Sequence, residues 1–100
     1  MTNNMVDFDA VNSRAMGWLE SLLHEWLPNG KKIGNEYICG DWDGRAGESL
    51  SINIRTGKGA DFAGDDRVGD PIGIDAKIVT NGDRVEAARA LAGIFGMEGG

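Results

Sequence analysis

The sequence predicts an α+β fold: a small antiparallel β-sheet of about three strands, packed by a long N-terminal helix and two shorter C-terminal ones. Three observations carry this. Apolar residues recur at spacings of three and four over residues 8–27. The period then falls to two over residues 33–63, with connections too short for crossovers. Helical spacing returns over 71–79 and 84–95, each stretch behind a recognisable helix start.

The first helix is read from the stripe Phe8, Val11, Ala15, Trp18, Leu19, Leu22, Leu23, Trp26 and Leu27. Asp7 or Asp9 can accept a free backbone N–H at its start, and Pro28-Asn29-Gly30 ends it. Trp18 and Trp26 lie eight residues apart, nearly on one face, and are expected in the core. Residues 33–39 (IGNEYIC) read as one strand. In SLSINIR, Leu50, Ile52 and Ile54 alternate with Ser51, Asn53 and Arg55, so the second strand has an apolar and a polar face. Thr56-Gly57-Lys58 turns into a third strand at 59–63, and residues 40–48 and 64–70 are loops rich in glycine and charge. Asp70-Pro71 is an acidic cap followed by proline at the first helical position. The helix behind it should bury Ile72, Ile74 or Ala76, and Val79. Asp83 with Glu86 opens the last helix, with Val85, Ala88, Leu91, Ala92 and Phe95 on its apolar face. Residues 1–7 are expected to be a flexible start and 96–100 a loose tail.

Length and composition bound the function. One hundred residues make one domain, with 41% hydrophobic and 26% charged residues, as in an ordinary soluble globular protein. There is no apolar run of membrane-spanning length and no secretory signal pattern, and the single Cys39 precludes an intrachain disulfide. A cytoplasmic location and no membrane partner are therefore expected. A net charge of −6 argues against generic nucleic-acid binding, which draws on phosphate neutralisation. Any such role requires a local basic face.

The chemistry-bearing residues are few. A structural zinc site needs four Cys or His ligands, and the chain offers only Cys39 and His24. Cys39 reads as a small buried residue. Asp61, Asp65, Asp66 and Asp70 crowd one loop, but their spacing is not that of a calcium loop, and a solvated loop is the favoured reading. No metal or cofactor is expected. No nucleophile–base pattern and no phosphate-cradling loop is present, so the chain alone is not expected to be an enzyme. The candidate nucleic-acid-binding residues are Lys31, Lys32, Trp42, Arg45, Arg55 and Lys58. The cations would contact phosphates, and Trp42, in an acidic glycine loop, would either stack on a base or fold back over the sheet.

The order of parts over residues 36–96 resembles the N-terminal zinc-ribbon domain of bacterial and phage DNA primases and primase-helicases. EYICGDW, SLSINIRTGKGADFA, RVGDPIGI and VEAARALAGIFG follow that family's succession, and Val68-Gly69-Asp70 stands where the family has G-G-D before a short helix. The family's ligand positions would fall on Cys39, Trp42, Phe62 and Asp65, of which only one is a cysteine. The resemblance is thus to a degenerate, metal-free form, as found in phage, plasmid and prophage proteins. It implies that Phe62 and Trp42 replace the metal with an aromatic cluster. It also implies a non-catalytic module of a replication protein that binds single-stranded template DNA weakly. Its partners would be downstream primase or helicase domains or another replication protein. The alternative is a protein-interaction module of the same fold.

Overall fold

The computed structural model describes residues 7–64 and 66–96. Residues 1–6 of the expected flexible start (1–7) and 97–100 of the expected loose tail (96–100) lie outside the described residues, as does Asp65. The chain runs α1 (Phe8–Met16), α2 (Leu19–Trp26), β1 (Lys31–Ile33), β2 (Glu36–Cys39), β3 (Leu50–Asn53), β4 (Gly59–Asp61), β5 (Asp66–Val68), α3 (Pro71–Ile78) and α4 (Arg84–Ile94). The five strands form one antiparallel meander in chain order. Among the described residues no helix is long and apolar enough to cross a membrane.

The expected long first helix is two helices. At the end of α1 the Gly17 N–H bonds to the Arg14 carbonyl at 3.2 Å, and the Trp18 N–H to that of Ala15 at 2.9 Å. These three-residue bonds tighten the last turn, and glycine lowers the local helix preference. The break redirects one apolar stripe toward two cores. Val11 and Ala15 of α1 pack with α3 and α4. Leu19 and Leu23 of α2, with Leu27 beyond it, pack on Tyr37, Cys39, Leu50 and Ile52 of the sheet. Trp18, at the break, is 55% exposed rather than in the core, and Trp26 is partly buried where the two cores meet.

The sheet has five strands instead of about three. The stretch read as one strand is a hairpin in which Ile33 pairs with Glu36 across Gly34-Asn35. Gly34 sits at φ 61°, where glycine is unstrained, so the chain reverses in two residues. Residues 66–68, read as loop, pair with β4 as β5. The other boundaries hold within about two residues, the usual ambiguity of element ends.

Tyr37 ties α2 to the sheet. Its side chain is fully buried, and its hydroxyl donates to the Leu27 carbonyl just past α2. Burial pushes the phenol's pKa up. Gly30 leaves room for the ring, since a Cβ there would lie 2.7 Å from Tyr37 Cζ. In the helical layer α3 straddles both cores, with Ile72 and Ala76 facing α1 and α4 and Ile74 facing the sheet. Val79 and Val85, expected to be buried, are 54% and 49% exposed. Ala87 takes a core place in α4 beside Ala88, and these small residues let α3 and α4 approach closely.

Asp70 joins the helical layer at one point. Its Oδ1 caps α3 by accepting from the Gly73 N–H at 2.7 Å. Its Oδ2 accepts from Asn12 Nδ2 of α1 and from Arg84 Nη2 of α4, both at 3.1 Å. Asn12 Oδ1 in turn accepts from the Ile72 N–H at 3.0 Å. Burial alone would raise the Asp70 pKa, but hydrogen bonds from Arg84 and Gly73, the Arg84 charge and Asn12 together hold it below the ordinary range. Asp70→Asn should therefore lower stability at neutral pH by about 0.5–2 kcal/mol, the usual worth of a helix cap. The deficit should shrink as pH falls below about 4, where the parental carboxylate itself protonates. Thermal melts across pH check this; a deficit constant from pH 7 to pH 3 would contradict it.

Asp75 is the opposite case. It is 1% exposed, its Oδ1 has no hydrogen-bond partner, and burial pushes its pKa up to about 6. A carboxyl harder to ionise in the folded state costs stability once pH rises through that range. The shift from the ordinary 3.8 corresponds to a cost on the order of 3 kcal/mol at neutral pH. The stability of Asp75→Asn relative to the parent should thus improve by that order between pH 4 and pH 8. Denaturant melts at the two pH values read it, and a pH-independent difference would refute it.

Candidate functional site

Strand alternation gives the sheet two unlike faces. The covered face carries Tyr37, Cys39, Leu50 and Ile52 against α2 and α3. Register places on the other face Lys31 and Ile33 of β1, Glu36 and Ile38 of β2, and Ser51 and Asn53 of β3. Across β3 the same face continues with Lys58 and Ala60, and across β4 with Arg67 and Gly69. Phe62 follows at the end of β4, where its N–H bonds the Ser49 carbonyl at 2.8 Å. None of these residues belongs to either core, and none is fully buried.

The middle of this face is a shallow groove of about 410 Å³, lined by Glu36, Ser51, Lys58, Ala60, Phe62 and Arg67 among others. Phe62 stands 74% exposed, the most exposed large apolar side chain described. Lys31, Lys58 and Arg67 make no ion pair with any described residue. Glu36 is the one carboxylate among the face's described residues, and it is engaged within the sheet. It accepts from Ser51 Oγ at 2.6 Å and from Asn53 Nδ2 at 3.0 Å. The face thus offers three cations, an aromatic ring and hydrogen-bonding side chains, on a chain whose net charge is −6.

Of the six residues singled out from sequence, the structure brings Lys31 and Lys58 onto this face. Lys32 pairs with Tyr37 on the opposite face, and its Nζ lies 3.7 Å from Glu20 of α2. Arg55 is exposed in the β3–β4 turn, where its N–H bonds Asn53 Oδ1 at 2.8 Å. Arg45 is held in its own loop by Asp41 at 2.9 Å and Asp43 at 3.7 Å. Desolvation of Asp41 is outweighed by the sum of hydrogen bonds from the Arg45 N–H, the Arg45 guanidinium and the Asp43 N–H and the Arg45 charge, which together set its pKa below the ordinary value. Trp42 packs against the sheet core with Nε1 buried, so of its two readings the structure shows the folded-back one. Phe62 lies on the face away from that core, so the two aromatics do not form the cluster that the primase resemblance implied.

Sequence reasoning missed Arg67 and the exposed position of Phe62 on this face. Arg67 depends on β5, whose pairing with β4 puts it opposite Ala60, and Phe62 on the β3–β4 pairing that runs on to Ser49. The Gly34-Asn35 pair was a legible hairpin signal that places Lys31 on the open face. The acidic loop is engaged elsewhere: Asp61 Oδ1 accepts from the Ala63 N–H at 3.0 Å, Asp66 lies 3.1 Å from Lys77, and Asp70 anchors the helices. Cys39 is buried, and its Sγ donates to the Arg45 carbonyl at 3.0 Å. Comparison with known proteins finds no matching family model, no matching curated protein and no matching solved structure.

Proposed function

We propose that this chain is a single-stranded DNA-binding module that uses the open face of its sheet, in the manner of a non-catalytic template-binding domain of a primase- or primase-helicase-like replication protein. The observation that carries the reading is the grouping of Lys31, Lys58, Arg67 and exposed Phe62 on one uncovered face of an acidic chain. Cations tracking a phosphate backbone and an aromatic on which a base stacks are the two parts of a single-strand platform. Single strands suit it better than duplex, because stacking on Phe62 needs an unpaired base. The acidic remainder limits non-specific binding, so affinity is expected to be modest and steeply salt-dependent. The order of sequence parts shared with primase N-terminal domains supports the replication context. That context places partner domains, and any catalysis, outside this module.

The test is titration with a short oligothymidylate at low salt, followed by fluorescence anisotropy. Phe62→Ala should weaken binding about five-fold or more, since one base–aromatic stack is worth about 1–3 kcal/mol. Lys58→Gln should weaken it and lower the salt slope by about 0.7, one phosphate contact on a single strand. Glu36→Gln, which removes the face's one described carboxylate, should strengthen it. Trp42→Phe should leave it unchanged. Parental affinity in both Phe62→Ala and Lys58→Gln would sink the reading, and an oligonucleotide that does not bind at all would favour a protein partner instead.

A further inference from the structure

The groove on the open face continues round β5. A second hollow, of about 300 Å³, lies between β5, α3 and α4 and shares Arg67, Val68 and Gly69 with the first. Three cations line it: Arg67, Lys77 and Arg84. Gly69, Gly73 and Gly82 leave its floor open. A Cβ on Gly69 would meet nothing within 4 Å, whereas one on Gly73 would lie 3.1 Å from Arg84 Nη1. Glycine at 73 thus lets the guanidinium lie over the first turn of α3. Arg84 is fixed there by Asp70 at 3.1 Å and by the Phe8 ring, 5.9 Å from its Cζ. Among the described residues Lys77 pairs with Asp66 alone, at 3.1 Å. The exposed Lys77–Asp66 pair contributes little net stability, so a phosphate can replace Asp66 as its partner, and at Arg84 a phosphate can join Asp70.

We propose that a single strand lying on the open face crosses β5 and lodges its backbone phosphates in this cleft, held by Arg67, Lys77 and Arg84. The inference rests on the reading of the open face as a single-strand platform, and it extends the bound strand beyond the sheet. Arg67 is the joint, because it lines both hollows and has no ion pair among the described residues. No described side chain in the cleft offers an aromatic face, so the cleft would hold phosphate and the sheet would hold bases.

The test compares oligothymidylates of about four and about ten nucleotides, a range over which small single-strand platforms differ in coverage. The longer should bind more tightly, and Lys77→Gln should cut that advantage at least three-fold. Gly69→Glu, which places a carboxylate at the joint where a Cβ meets nothing within 4 Å, should abolish it. Independently, inorganic pyrophosphate should shift the Gly69, Gly73 and Gly82 amides in NMR spectra of the parent, with a weaker response in Lys77→Gln. If Phe62→Ala weakens both oligomers but Lys77→Gln leaves the length advantage intact, the cleft proposal is overturned and the platform stands. A pyrophosphate titration that leaves those amides unmoved overturns the cleft equally. If Phe62→Ala binds both oligomers as the parent does, the platform reading fails and this extension fails with it.

Discussion

The Asp70 carboxylate is the point on which the helical layer turns. One side chain caps α3, receives Asn12 from α1 and pairs with Arg84 from α4. Each bond is modest alone, but all share one pair of oxygens, so the geometry of three helices is fixed together. It also sets where β5 ends and α3 begins. Arg84 is consequently held at the mouth of the cleft beside β5 instead of sweeping through solvent. Asp75, one turn further along α3, is buried without a partner for Oδ1. The same helix thus carries one carboxylate that stabilises the fold and one that burdens it.

The two faces of the sheet follow from a break in one helix. Had residues 8–27 run straight, their single apolar stripe would have faced one neighbour. The break at Gly17 redirects it, so that α1 packs in the helical core while α2 sends Leu22 to that core and Leu19 and Leu23 to the sheet. Tyr37, bonded to the chain just past α2, fixes that cover in place. With α2 and α3 on one side, no described helix covers the other. That side retains its cations and Phe62 while most of the acidic residues lie elsewhere.

The loop between β2 and β3 is closed by backbone hydrogen bonds and one cysteine. The Arg45 carbonyl accepts from the Gly40 N–H at 2.7 Å and from Cys39 Sγ at 3.0 Å, while Asp41 gathers the Asp43 and Arg45 N–H groups. Trp42 supplies apolar cover from the same loop. Backbone bonds and one partly buried aromatic hold the turn, without the pairing of Trp42 and Phe62 that the resemblance implied.

The sequence by itself determined the α+β class, the meander, the caps at Asp70 and Asp83, an acidic cap at Asp7 or Asp9, and the inward set Leu50 and Ile52. These are local: a period of two or three to four and a capping side chain act within a few residues of one another. It also determined that any basic surface had to be a patch, because the charge total allowed nothing broader. Only the tertiary structure decided which cations share a face. Lys31 and Lys32 are adjacent in sequence yet point to opposite sides, because β1 pairs with β2 in one register. Arg67 reached the open face through β5, three residues whose strand identity comes from pairing with β4 and not from their own propensity, and Phe62 through the pairing of β4 with β3. Whether Trp42 faced solvent or core was likewise settled by packing, since its sequence neighbours suit a loop either way.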